Sequence, residues 1–402
     1  METFHELPFF TNLLILLVAA RLLGEVLERF RQPAMIGEIL AGILLGPSLL
    51  NLIHRTEEIK VISELGIFLL VIRAGLEINI DDILRSLKGR NIIISITAFT
   101  IPILSGIAVG MGFGQDLPST LFIGLCVAIT ALPVSIRILM DLRKINTVVG
   151  QQIISVAIFD DVLALSILGV LLSLKGTDMS MNLVLTAGAV SIFKLALFGG
   201  ILTLVYFVIR RILHKGDYIQ ESLDNLVALL RGKETLHALF FAFVLLFATF
   251  TEILGLHFIV GAFFAALLIS ESLIGKDNLR VIEKTTSNMA MGFLAPIFFA
   301  GIGLEFNIGS IHNLGLMGAI LLASYASKIA GGYLGGRLAG MRHRASLTLG
   351  IGLNARGIME LVIANIAYKN GMISTELFSI LVLMGVLTTL TTPMMLKKAF
   401  GR

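Results

Sequence analysis

The chain has 402 residues, 56% of them hydrophobic and only 14% charged, with a mean hydropathy of +0.94. A soluble domain is about 45–50% apolar and about 25% charged, so water is excluded as the solvent of most of this chain. The net charge of +4 is no sign of a nucleic-acid partner, because Lys and Arg first mark topology in such a sequence, and the single Cys126 excludes an internal disulfide framework.

In chain order, thirteen apolar stretches fall near 8–28, 33–53, 58–77, 91–113, 118–140, 147–174, 182–209, 236–253, 257–273, 287–305, 313–336, 345–367 and 374–396. Windows of about 20 residues match a bilayer core of about 30 Å, so the fold class is an all-α polytopic membrane protein with about 13 transmembrane helices. The first stretch is too long, and too polar over Met1–Pro8, for a cleaved signal peptide. With the N-terminus outside, about twenty Lys and Arg fall in cytoplasmic connections and about four on the other side. Lys and Arg favour the cytoplasm, which predicts the N-terminus outside and the C-terminus inside at the cell's inner membrane. The mixed charges of about 210–235 predict a cytoplasmic loop with a surface helix.

Two signatures recur. "RAGLEINI" (73–80) matches "GIGLEFNI" (301–308) at an offset of 228, and "IGEILAG" (36–42) resembles "VGAFFAA" (260–266) at an offset of 224. Members of each pair lie seven spans apart, an odd number, so the copies run in opposite directions. One exchanger domain over 1–402 is expected, with repeat one at about 8–174, a linker span at about 182–209 and repeat two at about 236–396. Inverted repeats belong to secondary transporters, whose sites sit near midplane beside interrupted helices. The repeat maps the fifth span onto the twelfth. The fifth holds "VAITALPVSIRIL" (127–139) with Pro133 near its centre; the twelfth holds "GIGLNARGIMELVIA" (350–364), where Gly350, Gly352 and Gly357 frame Arg356. Both are expected to break there, and carbonyls freed near Thr130 and Ala131 would line a cavity and coordinate a cation.

"SVAIFDDVLALSIL" (155–168) places Asp160 and Asp161 near midplane of the sixth span. An ionised Asp there costs about 2.5–3.5 kcal/mol, so two adjacent ones point to an ion or proton site. Neighbours on a helix point about 100° apart, which leaves one carboxylate for a fixed cation and one for a cavity. Lys328, Lys194 and Arg356 are candidate partners. Arg356 has Glu360 four residues on, a pair read as structural and offsetting the dipole ends of the broken helix. Periodicity does not choose between Lys328 and Lys194. Arg73 and Arg137 lie nearer the cytoplasmic ends, where long side chains snorkel.

"PAMIGEILAGILLGPSLL" (33–50), "LGIFLLVIRAGLEI" (65–78), "AITALPVS", "IFDDVLAL", "PIFFAGIGLE" (296–305) and "LNARGIMELVIA" together resemble the bacterial cation:proton antiporters of the monovalent type-2 branch, over essentially the whole chain. The resemblance implies crossed, interrupted helices in a core that moves against a dimerisation domain, and a homodimer. It gives Asp161 the role of cation and proton carrier and pairs Asp160 with Lys328 in "ASKIAGGYLGG". The paired aspartate is that of electrogenic members. Two departures stand out. Arg73 occupies a position that is apolar in many relatives, which implies a modified funnel or pH response. The chain ends at Arg402, without the nucleotide-binding domain of glutathione-gated relatives, which argues against that gating.

The function expected is exchange of protons for a monovalent cation, Na⁺ first and K⁺ or Li⁺ next, by alternating access. Asp161 and Asp160 are the metal-ion ligands, Thr130 assists and Lys328 couples the proton. Carboxylate, carbonyl and water oxygens suit a hard cation, and no cofactor beyond the transported ion is expected. A proton-coupled symporter or a cation channel would share these features, although the chain has no carbonyl-filter sequence of the Thr-Val-Gly-Tyr-Gly kind. No hydrolytic constellation such as His-Glu-x-x-His is present, so no enzyme is expected.

Overall fold

A computed structural model of the chain describes residues 8–30, 32–54, 56–78, 91–173, 233–254, 256–269 and 271–401, with six single residues between 190 and 204. All regular structure among the described residues is helical. The helices are α1 (Phe9–Arg29), α2 (Ala34–Leu45), α3 (Glu57–Glu77), α4 (Asn91–Gly112), α5 (Leu117–Ala128), α6 (Leu132–Asp141), α7 (Val148–Ser173), α8 (Lys233–Ile253), α9 (Phe258–Leu268) and the short α10 (Glu271–Ile274). After these come α11 (Lys276–Met289), a π turn (Ala290–Leu294), α12 (Ala295–Glu305), α13 (Leu314–Leu338), α14 (His343–Gly352), α15 (Ile358–Lys369) and α16 (Thr375–Phe400). Among the described residues, eight helical stretches are long and apolar enough to cross a membrane, and α2 and α9 are shorter apolar helices. Most of the expected linker span at 182–209 and of the loop at 210–235 lies outside the described residues.

Two compact units divide the chain. The first comprises Met1–Ile67, Ile83–Ala164 and Phe293–Arg402; the second comprises Phe68–Asp82 and Leu165–Gly292. In the first, α2 packs between α1 and α12, where Leu16, Ala20, Ala41, Leu45, Ile297 and Ala300 form a buried cluster. In the second, α8 lies against α9.

The expected fifth and twelfth spans are both broken. The fifth becomes α5 and α6 around Ile129–Ala131, with Ile129 and Ala131 extended. The twelfth becomes α14 and α15 around residues 353–357. Pro133 sits in the first turn of α6, not in the break itself. Its missing N–H is one that a helix start leaves unbonded in any case, so it begins the second half instead of kinking one helix. Gly350 and Gly352 also lie within or at the end of α14, where a Cβ would strike the Ile329 backbone and the Ile153 side chain. They permit close packing rather than the break.

Glycine contacts carry the repeat into three dimensions. A Cβ on Gly37 would strike the Leu23 carbonyl, and one on Gly261 would strike that of Phe247. Both members of the second contact stand 224 residues after those of the first. Gly303 abuts Ile39, Gly42 and Ile43, while Gly75, its partner in the Gly-Leu-Glu match, abuts Phe263, Ala266 and Leu267 at that same offset. In the spans that follow, Gly106 meets Gly124 as Gly332 meets Gly350, and Gly124 meets Ile103 as Gly350 meets Ile329, all at an offset of 226. Small residues let membrane helices approach closely. Here they do so at the same register in both copies, as an inverted repeat requires.

Candidate functional site

The two breaks meet inside the first unit. The Ala131 N–H donates to the Ala355 carbonyl at 2.8 Å, and the Thr130 hydroxyl donates to the Leu353 carbonyl at 3.1 Å. Gly357 packs closely on the first break, since a Cβ there would strike that of Ala131. From the other side, the fully buried guanidinium of Arg356 donates to the carbonyls of Cys126 at 2.5 Å, Val127 at 2.6 Å and Ile129 at 2.6 Å. A helix leaves its last four carbonyls without partners, and that end carries partial negative charge. The planar fork of Arg356 satisfies several of those at the end of α5 at once.

The carbonyls expected to line a cavity are those near Thr130 and Ala131; their neighbours toward the end of α5 already have a donor. Those of Cys126, Val127 and Ile129 are occupied by Arg356. Arg356 does sit at a dipole end of a broken helix, but of the opposite one. Glu360, in the first turn of α15, is fully buried with its Oε2 3.9 Å from the Arg356 Nε.

Asp160 and Asp161 occupy the middle of α7, 0% and 2% exposed. Lys328 lies mid-way along α13, also fully buried, and its Nζ stands 2.7 Å from Asp160 Oδ2. The alternative left open by periodicity is thereby resolved: the amine on Asp160 is that of Lys328, not Lys194. Nζ also donates to the Ala98 carbonyl of α4 at 3.2 Å. Thr130 stands beside the Asp160 carboxylate. Asp161 and Arg356 are the next charges felt by the ammonium. Asp160, Asp161, Thr130, Lys328 and Arg356 thus belong to one buried constellation at the crossing of the breaks. A buried ion pair of this kind is weak evidence for stability, because desolvation offsets its attraction. Among the described residues, no group of three or more His, Cys, Asp or Glu side chains is gathered to hold a resident metal.

The two arginines expected near cytoplasmic ends are paired. Arg137 reaches Glu28 at 2.7 Å, and Arg73 reaches Glu77 at 2.6 Å. In the second unit, Arg73 and Glu77 line a cavity of about 490 Å³ with Leu76, Arg280, Glu283, Lys284 and Ser287. Sequence reasoning passed over two further acids. Glu38 of α2 is 2% exposed with Arg21 at 3.5 Å, and Glu305 accepts a 2.8 Å hydrogen bond from Asn365. Both acids were visible as charges in apolar windows, but inside motifs used only as repeat landmarks. Asn365, uncharged, left no such signal.

The family profile described as "Sodium/hydrogen exchanger, transmembrane" matches residues 13–398. The Na(+)/H(+)-K(+) antiporter GerN of Bacillus cereus is 28% identical, with 98% of this chain and 97% of that protein covered. The Na(+)/H(+) antiporter of Enterococcus hirae is 27% identical, covering 97% and 98%. Among solved structures, that of the sodium proton antiporter MjNhaP1 from Methanocaldococcus jannaschii superposes with a TM-score of 0.73 at 17% identity, covering 98% of this chain and 96% of the other. That likeness is one of fold. The chain is a multi-pass membrane protein and belongs to the transmembrane sodium/hydrogen exchanger family.

Proposed function

We propose that the chain exchanges protons for a monovalent cation, Na⁺ first, by alternating access, and that Asp161 carries both in turn. The observation that carries this reading is the fully buried ion pair of Asp160 and Lys328, formed beside a second buried aspartate. Lys328 is paired with Asp160, and the adjacent Asp161 brings a second carboxylate to the same buried site, where an arriving cation and a proton can compete. A dehydrated alkali ion takes oxygen ligands, and Asp161, Asp160 and the Thr130 hydroxyl are the donors closest to hand. In the cation-loaded state Asp160 turns from Lys328 to the ion. When the ion leaves, a proton takes its place on Asp161 and the pair re-forms.

If Lys328 gives up its own proton in the loaded state, two protons move per cation and one net charge crosses. That charge is worth about 2.3 kcal/mol per 100 mV. The naming of GerN as an exchanger of Na⁺, H⁺ and K⁺ keeps K⁺ within the proposal. The distribution of Lys and Arg supports an inner-membrane protein with its C-terminus in the cytoplasm. A homodimer, with one unit moving against a dimerising one, is proposed from the family resemblance. The test is proton flux in proteoliposomes driven by Na⁺, K⁺ or Li⁺. Wild-type protein should exchange at least one of them, and Asp161→Asn should lower that flux by about a hundredfold or more. Undiminished flux in Asp161→Asn would refute the assignment.

A further inference from the structure

Pro102 lies inside α4. Proline has no N–H, so the carbonyl four residues earlier, that of Ala98, loses its helical donor, and the ring presses that carbonyl away from the helix axis. A buried carbonyl must find a partner elsewhere. This one finds the ammonium of Lys328, whose Nζ donates to it at 3.2 Å in a fully buried contact. Gly331, just under one turn beyond Lys328, lies so close to Thr97, Ala98 and Pro102 that a Cβ there would be in contact with all three, so α4 and α13 meet backbone to backbone. Pro102 and Lys328 also stand 226 residues apart, the offset that relates Gly106 to Gly332 in the same two helices. At this one register position, one copy removes a donor and the other supplies a cation.

We propose that Pro102 is a positioning residue of the exchange site: it keeps the Ala98 carbonyl open as a fixed acceptor that holds the Lys328 Nζ, as ammonium and as the amine left when its proton departs, when Asp160 turns to the cation. The inference rests on the role given to Lys328 above. Asp160 and Asp161 of α7 and Arg356 of the second break are the charges that face this ammonium. Among the described residues, the Ala98 carbonyl is the neutral acceptor to which this ammonium donates. Without it, the ammonium would depend on Asp160 alone and would compete harder with the cation for that carboxylate.

The experiment measures KM and kcat for Na⁺ in proteoliposomes containing the full chain. Pro102→Ala returns an N–H to position 102 and closes the Ala98 carbonyl into the helix. It should raise KM about tenfold, the scale of a lost charge-assisted hydrogen bond, while leaving kcat within about twofold. A purely structural proline would instead lower kcat or yield at unchanged KM, and that result would overturn the proposal. Lactic acid at position 102, joined through an ester, has neither the ring nor an N–H and should keep the wild-type KM. A raised KM there would overturn the proposal even if Pro102→Ala fails to fold. Lys328→Gln separates the two levels. If it leaves KM and charge transfer unchanged, the role of Lys328 falls and this inference with it. If it alters them while Pro102→Ala does not, only the role of Pro102 falls. In the Lys328→Gln background, Pro102→Ala should have no further effect on KM.

Discussion

The two breaks are built on one backbone plan and decorated differently. Alpha-helical segments start at Leu117 and Leu132 in the first copy and at His343 and Ile358 in the second, each pair 226 residues apart. At that offset Thr130 corresponds to Arg356, and Val134 to Glu360. The freed carbonyls of the second break are met by neutral donors, the Thr130 hydroxyl and the Ala131 N–H; those of the first are met by a guanidinium. Each break completes the other, and one full charge serves both. The comparison teaches that the repeat dictates where helices stop and touch, while the site's chemistry comes from positions at which the copies differ. Arg356 is structural in this account, and Asp160, Asp161 and Lys328 are left for the transported ions.

The largest effect should come from breaking the charged side of this arrangement. Arg356→Ala leaves three buried carbonyls without their donor and the buried Glu360 without its nearby cation, and should destabilise the protein by about 3–5 kcal/mol. Arg356→Lys should recover only part of this, because an ammonium cannot reproduce the planar fork. Thermal unfolding of purified protein reads both, and a wild-type midpoint in Arg356→Ala would show that the crossing is held by something else. The repeat itself is tested by mirror substitutions. Gly37→Ala and Gly261→Ala each force a methyl into a backbone carbonyl and should each cost about 1–3 kcal/mol. Their costs should agree within about 1 kcal/mol, and the same holds for Gly124→Ala and Gly350→Ala. Strongly unequal costs within a pair would mean that the shared register does not reflect shared packing. The smallest effect is expected at the half-buried pair Arg73–Glu77. Arg73→Ala should shift stability by no more than about 1 kcal/mol, and the same preparations should exchange within about twofold of wild type. A large loss of exchange would instead give the cavity beside Arg73 a part in transport.

Much of this was legible in the sequence because membrane burial makes charges and breakers conspicuous. The spans at 8–28, 58–77 and 91–113 fall within about one residue of α1, α3 and α4. Asp160 and Asp161 announced themselves as the only charges in their helix, and the repeat was visible in Gly-Leu-Glu. Pairing was less legible. Nothing in the local sequence around Arg356 reveals that its guanidinium reaches across to Cys126, Val127 and Ile129, more than two hundred residues earlier. Helical spacing exposes Glu360 as a neighbour, but a crossing partner depends on how two helices meet in space. The part played by Pro133 was less legible for a related reason. Pro133 reads as a breaker, yet proline is also suited to a helix start, and the tertiary contacts with Leu353 and Ala355 select the second role.

The central claim is that Asp160 changes partners between Lys328 and the cation. It is tested most directly by recording internal pH and membrane potential together in proteoliposomes after Na⁺ is added outside, for wild type and Lys328→Gln. The account predicts that wild-type vesicles become alkaline inside and develop an interior-negative potential. In Lys328→Gln the alkalinisation should be weakened and the potential lost. A Lys328→Gln protein that generates the same potential at the same rate as wild type would contradict it.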